Sequence, residues 1–321
     1  MTKPVHHSGQ FTFGGADPIT VYRLGFGAMR ITGAGIWGDP PDHDTAIRVI
    51  RAAVDMGVDF IDTADSYGPF VSEDLIREAV DLGVDFIDTA DSYGPFVSED
   101  LLREALHTGN AADPYGGVII ATKGGLTRQG PDQWAAVGRP EYLRQCVQMS
   151  LRRLGVERID LWQLHRIDPK VPEDEQFGVI KEMQSEGLIR HVGLSEVSIE
   201  ELERARRVME VVSVQNLFHA GLRQSEALLD HCTEEGIGFI PWFPLGNRAL
   251  VAPDGPLAHI AASHDCTPGQ VALAWLLQRS PVMLPIPGTG SLDHVKENCE
   301  AALVTLDAAA MKELETAPEL Q

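Results

Sequence analysis

Along this chain, short apolar, β-branched runs alternate with stretches in which apolar residues recur every three to four positions. Residues 21–29, VYRLGFGAM, predict a first strand. Residues 45–56 predict a helix with Ala46, Ile47, Ile50, Ala53 and Val54 on one face. The runs VDFIDTA, GVIIATK (117–123), IDLWQLH (159–165), HVGLSE (191–196), VVSVQN (211–216), IGFIPW (237–242) and VMLPIPG (282–288) predict the remaining strands. Between them, residues 139–155, 175–187, 225–236, 269–278 and 292–302 carry the helical period. Gly187 and Gly236 mark two helix ends, and Ser198 with Glu201 spells a capping box. Thr267, Pro268 and Gln270 spell another helix start, and a tail helix is predicted over 308–315.

Strand–helix alternation repeated this often implies a parallel sheet. Eight strands in a single domain spanning residues 1–321 fit an α/β (β/α)8 TIM barrel. The competitor, a doubly wound open sheet, would usually show a GxGxxG turn after its first strand. GFGAMRITGAG, at residues 25–35, does not have that spacing.

The strand count holds only if one repeat is set aside. Residues 54–79 recur as residues 80–105 with 24 of 26 positions identical, the exceptions being Met56 against Leu82 and Ile76 against Leu102. This is one tandem duplicate, not a solenoid. Removing 26 of 321 residues leaves 295. Closure requires strand number, tilt and shear to agree, so one strand is expected in the barrel and one repeat outside it. The preferred arrangement expels residues 57–83 and places residues 84–89 in the barrel. The rival keeps the first copy and expels residues 84–109. An expelled VDFIDTA would be an unpaired edge, open to self-association.

Charge narrows the function classes. Lysine plus arginine is 26 against 47 for aspartate plus glutamate, a net charge of −21. Such a surface disfavours nucleic acid and anionic membranes as partners. No apolar run approaches a membrane span, and the first residues lack a signal-peptide core. Cys146, Cys232, Cys266 and Cys299 are widely spaced, without a metal pattern. A cytoplasmic protein with reduced thiols is expected.

In such barrels, chemistry gathers at the C-terminal ends of strands. There the chain offers Asp62 then Tyr67, or Asp88 then Tyr93, followed by Lys123 and His165. In this setting VDFIDTADSYG, ATKGG, DLWQLH, GLSE, SVQN, PWFPLG and PIPGTGSLDHVKEN, in that order from about residue 21 to 302, resemble the aldo-keto reductases. The resemblance implies a barrel that holds NADPH without a Rossmann domain and reduces aldehydes or ketones to alcohols. NADH is the alternative cofactor. A cofactor-binding regulatory subunit with little turnover is the alternative function.

The chemistry accounts for the residue types. Hydride reaches the carbonyl carbon and the oxygen takes a proton. A tyrosine is a weak acid unless a nearby ammonium favours its phenolate. The preferred set is Tyr93 as acid, Lys123 as its tuner, Asp88 as the lysine's partner and His165 as the donor that orients the carbonyl. Asp62 and Tyr67 form the alternative copy. By the same resemblance, Ser195, Glu196 and Gln215 face the nicotinamide carboxamide, with Glu196 where many relatives have asparagine. Trp242 stacks on the ring, and Leu245, Gly246 and Arg248 line the pyrophosphate. Gly288, Thr289 and Ser291 receive the 2′-phosphate, helped by Lys296, and Glu297 and Asn298 face the adenine. Many relatives carry lysine where Gly288 stands and arginine where His294 stands. Met29, Arg30, Trp37, Phe70 or Phe96, and Trp134 are expected to rim a pocket for a small carbonyl substrate.

Overall fold

The computed structural model describes residues 2–28, 42–62, 84–92, 99–100, 102–103, 107–130, 133–246, 249–317 and 319. A hairpin of β1 (Gln10–Phe13) and β2 (Ile19–Tyr22) precedes β3 (Phe26–Gly27). Helix α1 (His43–Asp55) leads to β4 (Phe60–Asp62), and β5 (Phe86–Asp88) and β6 (Ile119–Gly124) follow. A second hairpin, β7 (Leu126–Gly130) with β8 (Gln133–Ala136), stands before α2 (Pro140–Leu154). Then β9 (Ile159–Leu164), α3 (Glu173–Ser185), β10 (Ile189–Ser195), α4 (Ile199–Arg206), β11 (Val211–Leu217), α5 (Glu226–Glu235) and β12 (Gly238–Trp242) alternate. The chain ends through α6 (Ala258–Ser263), α7 (Pro268–Arg279), α8 (Leu292–Glu300) and α9 (Ala308–Thr316).

Helix boundaries follow local chemistry. Asp42 caps α1 by accepting from the Thr45 amide, and both expected capping boxes form, at Ser198/Glu201 and at Thr267/Gln270. Gly155 stops α2 in the left-handed region at φ 70°.

Eight parallel strands lie in the order β12-β11-β10-β9-β6-β5-β4-β3. The extended segment 282–287 joins the two edges. On one side Phe239 N donates to Val282 O at 2.8 Å and Leu284 N to Phe239 O at 2.8 Å. On the other, Gly25 N donates to Pro285 O at 3.0 Å and Gly27 N to Pro287 O at 3.1 Å. The architecture is thus the expected α/β barrel. Among the described residues, however, nine extended segments line the ring.

The expectation that one copy of VDFIDTA leaves the barrel is corrected here. β4 pairs with β3 on one side and with β5 on the other, so both copies are in the sheet. Their register is Phe60↔Phe86, Ile61↔Ile87 and Asp62↔Asp88, each residue opposite its own duplicate. Identical strands paired this way keep one alternation of inward and outward residues, so the added strand conflicts with neither face. Phe60 and Phe86 fill the wider floor, with ring centroids 4.8 Å apart edge to face. Phe13 of the β1–β2 hairpin stacks on Phe86 at 5.9 Å from below. Ile61 and Ile87 face outward into a core with Val49, Ile50 and Ala53 of α1. The unpaired edge on which self-association was expected is therefore absent among the described residues. Residues 63–83, the remainder of the unit expected outside, lie outside the described residues.

Two further differences are local. Residues 21–29, expected as one strand, divide between β2 and the short β3. The expected loop before Thr267 contains α6. No helix among the described residues is long and apolar enough to cross a membrane. Cys146, Cys232 and Cys299 are buried, Cys266 is half-buried, and all four are free thiols.

Candidate active site

Above the phenylalanine floor, the next inward residues of β4, β5 and β6 are Asp62, Asp88 and Lys123. The Lys123 ammonium is fully buried. It lies 2.8 Å from Asp88 Oδ2 and 3.9 Å from Asp62 Oδ2, and donates to Thr89 O at 2.9 Å. Gln163 Nε2 donates to Asp88 Oδ1 at 2.9 Å. Gln215 Nε2 reaches Asp62 Oδ2 at 3.3 Å and Asp88 Oδ2 at 3.4 Å. One ammonium thus faces two carboxyl groups, a direct result of seating both copies side by side.

Two neighbouring carboxylates do not both ionise easily in a low dielectric. Burial pushes the Asp62 carboxyl up to about 7 against the pull of Lys123, and the charge of Asp88 adds to the rise. The ordinary value is 3.8, so between about pH 4 and pH 7 the folded chain keeps a proton here that the unfolded chain has released. Stability from this group is present at low pH and declines as pH rises through that window. Asp62→Asn is expected to reduce the decline and to be about 1–2 kcal/mol more stable than the parent at pH 8. Burial also raises Asp59 to about 7 and Asp91 to about 8, so a residual slope persists. Urea unfolding at pH 5 and pH 8 checks this; equal slopes for the two proteins would mean that Asp62 ionises normally.

His165 follows β9 and is buried. Its Nδ1 lies 3.2 Å from Ser92 Oγ, in the second copy. Burial, Lys123 and Arg166 push its pKa well below 6.5, so the ring is neutral at physiological pH. Arg166 donates to the His165 carbonyl at 2.6 Å and to Ser195 Oγ at 3.0 Å, while Ser195 Oγ donates to Gln215 O at 3.1 Å. These contacts bring together Asp62, Asp88, Lys123, His165, Ser195 and Gln215. Tyr67 and Tyr93 lie outside the described residues, as do Met29, Arg30, Trp37, Phe70, Phe96 and Arg248.

Beyond β10 and β12 the surface becomes receptive to a flat ring. Trp242 is 37% exposed. Its indole N–H donates to Glu196 Oε1 at 2.6 Å, and the same oxygen accepts from Leu217 N at 2.7 Å. The Glu196 carboxylate therefore steers the tryptophan. Leu245 packs on the core, and Gly246, at φ 60°, closes a turn onto Phe243 O at 2.9 Å. Gly288 has a steric explanation: a Cβ there would sit 2.5 Å from Gly27 O, so no lysine fits. Thr289 Oγ1 accepts from Ser291 N at 3.1 Å, and Ser291 caps α8 by accepting from His294 N at 3.4 Å. Lys296 pairs with Glu300 at 3.8 Å. The carbonyl of Glu297 accepts from Gln270 Nε2 at 3.1 Å. Asn298 is buried, and its Nδ2 has no partner among the described residues. An exposed indole at one end and an orphaned amide donor at the other fit an extended dinucleotide. Trp134 is 43% exposed on β8, with the Arg128 guanidinium 5.0 Å from its ring centroid.

Similarity to known proteins agrees with this geometry. The model of the Aldo/keto reductase family matches residues 23–81 and 71–319. The chain belongs to the aldo/keto reductase family. The two matches overlap across the junction of the copies, each containing one VDFIDTA. An uncharacterized oxidoreductase of Schizosaccharomyces pombe is 49% identical over 297 residues, which span 92% of this chain and 87% of that one. Pyridoxine 4-dehydrogenase of Escherichia coli is 36% identical over 315 residues, 96% of this chain and 98% of that one. Among solved structures, a thermostable aldo-keto reductase in complex with the inhibitor epalrestat superimposes with a TM-score of 0.66 at 25% identity, covering 95% of this chain and 97% of its own. This aldo/keto reductase is thus an oxidoreductase with an α/β barrel fold.

Sequence reasoning missed Gln163, Arg166 and Ser92. Gln163 was within reach, since counting back two from His165 along a strand lands on the same face. Arg166 and Ser92 act through contacts between turns, which no local period reveals.

Proposed function

We propose that this chain reduces aldehydes or ketones to alcohols with NADPH, using Tyr93 as general acid, Lys123 and Asp88 to tune it, and His165 to orient the carbonyl. The observation that carries the reading is the wholly buried Lys123 ammonium, 2.8 Å from Asp88 Oδ2, at the strand ends beside a neutral His165. A buried ammonium favours the ionised form of any phenol brought to it, and so makes the phenol a better acid. A neutral imidazole can donate a hydrogen bond to the substrate oxygen without adding a second cation. The name of the relative from Escherichia coli supports redox chemistry on an alcohol–carbonyl pair.

When bound, the dihydronicotinamide supplies the hydride. Ser195 and Gln215 would hold its carboxamide and Trp242 its ring face. Leu245, Gly246 and Arg248 would hold the pyrophosphate, Thr289 and Ser291 beside Gly288 the 2′-phosphate, and Glu297 and Asn298 the adenine. The site is assigned to one small carbonyl substrate, and the chain to the cytoplasm.

The test is oxidation of NADPH, and separately NADH, against a panel of aromatic and aliphatic aldehydes, followed by loss of the reduced-nicotinamide absorbance. Turnover with preference for NADPH is expected. Quenching of tryptophan fluorescence by NADPH without turnover of any aldehyde would support a regulatory, cofactor-binding role instead.

A further inference from the structure

We propose that Ser92 is a positioning residue that fixes the tautomer of His165, its hydroxyl donating to Nδ1 so that the ring proton resides on Nε2. The inference rests on the carbonyl-reduction reading and deepens it. Its starting point is the 3.2 Å separation of Ser92 Oγ and His165 Nδ1, both side chains being buried.

A neutral imidazole has one donor nitrogen and one acceptor nitrogen. The position of its single proton therefore decides what His165 can do. With the proton on Nδ1, the ring donates to Ser92, and Nε2 can only accept. A carbonyl oxygen is itself an acceptor, so such a ring cannot orient it. With Ser92 as donor, Nδ1 accepts and Nε2 carries the proton that a carbonyl oxygen requires. A serine hydroxyl can rotate to donate, and it holds the imidazole without adding charge beside Lys123.

The contact also separates the two copies. In the ring, β9 adjoins β6, β6 adjoins β5, and β4 lies one strand further away. His165 follows β9, and its hydroxyl partner comes from the turn after β5. Ser66 occupies the equivalent place in an identical stretch of sequence, but it follows β4. The repeat thus supplies two serines of the same local sequence, of which Ser92 is assigned to the histidine.

The test uses the full chain labelled with 15N-histidine. The His165 resonances are assigned by comparison with His165→Asn, and no substrate is added. The parent is expected to show an unprotonated Nδ1 and a protonated Nε2. Ser92→Ala is expected to mix the tautomers and to lower kcat for aldehyde reduction about tenfold, with the Kd for NADPH unchanged. Ser92→Thr keeps a hydroxyl and is expected to restore both readouts, while Ser66→Ala matches the parent. A proton on Nδ1 in the parent overturns the proposal, as does a Ser92→Ala protein with the parent's tautomer and kcat. The parent spectrum decides even if Ser92→Ala fails to fold. A chain that turns over no carbonyl defeats the functional reading, while the spectrum still judges the tautomer on its own.

Discussion

Tyr93→Phe is expected to lower carbonyl reduction by about 10²–10⁴-fold, the range for loss of a general acid, while Tyr67→Phe keeps most of the activity. The two tyrosines sit in identical sequence, so the difference has to come from the strands that precede them. Asp88 holds Lys123 at 2.8 Å, and Asp62 stands back at 3.9 Å. β5 is hydrogen-bonded to β6, which carries the lysine, whereas β4 is separated from β6 by β5. Ser92, one residue before Tyr93, touches His165. The shorter ion pair of Lys123 and the hydroxyl contact of His165 thus both favour the second copy. Measuring kcat and the NADPH Kd for both variants checks this. The inverse pattern would move the acid to Tyr67, and equal partial losses would mean that both tyrosines serve.

The same contacts show why the strand order was legible and the strand number was not. Buried parallel strands are apolar on both faces, so runs such as GVIIATK and IGFIPW announce themselves in sequence. Capping residues are local, and both expected boxes form. Whether Phe60–Asp62 and Phe86–Asp88 both enter the ring is a different matter. It depends on whether the interior can be filled and the alternation kept. Pairing Phe60 with Phe86, and closing the floor with Phe13, answers the first need. Nothing in either copy alone encodes it, because Phe13 arrives from a hairpin about fifty residues upstream of β4.

The site divides along a similar line. Lys123 and His165 are charged or polar residues at the ends of apolar runs, and such residues stand out. Gln163 and Gln215 are uncharged and lie inside strands, and that they donate to the Asp88 and Asp62 carboxyl groups emerges only once the strands are in register. The pairing of Asp62 with Asp88 needs the duplicates seated side by side, a consequence of the ninth strand that an eight-strand reading excludes. Gly288 was read as a missing lysine. The backbone shows a close approach to Gly27 O that forbids any side chain, so the absence is steric before it is functional.

Lys123→Met is expected to destabilise the fold by about 3–5 kcal/mol at pH 8, the cost of leaving buried charge uncompensated. In the parent, the ammonium faces both Asp62 and Asp88. Methionine approximates the lysine stem, so packing changes little, but two carboxyl groups then share the barrel interior without a cation. Asp62, already raised by burial, then loses the pull of the ammonium and is driven further towards the protonated form. A carboxyl raised in this way favours folding at low pH and opposes it as pH rises through the folded value, so the damage grows with pH. At pH 5 the loss is expected to be roughly half that at pH 8, because protonation removes much of the uncompensated charge. Adding Asp62→Asn to Lys123→Met removes one carboxyl and is expected to recover about 1–3 kcal/mol at pH 8, somewhat more than its gain in the parent, because the lysine no longer offsets that charge. Urea unfolding of the four proteins of this cycle at both pH values gives the answer. A loss below about 1 kcal/mol that is the same at pH 5 and pH 8 would contradict the buried two-carboxylate arrangement, because only an exposed lysine behaves that way.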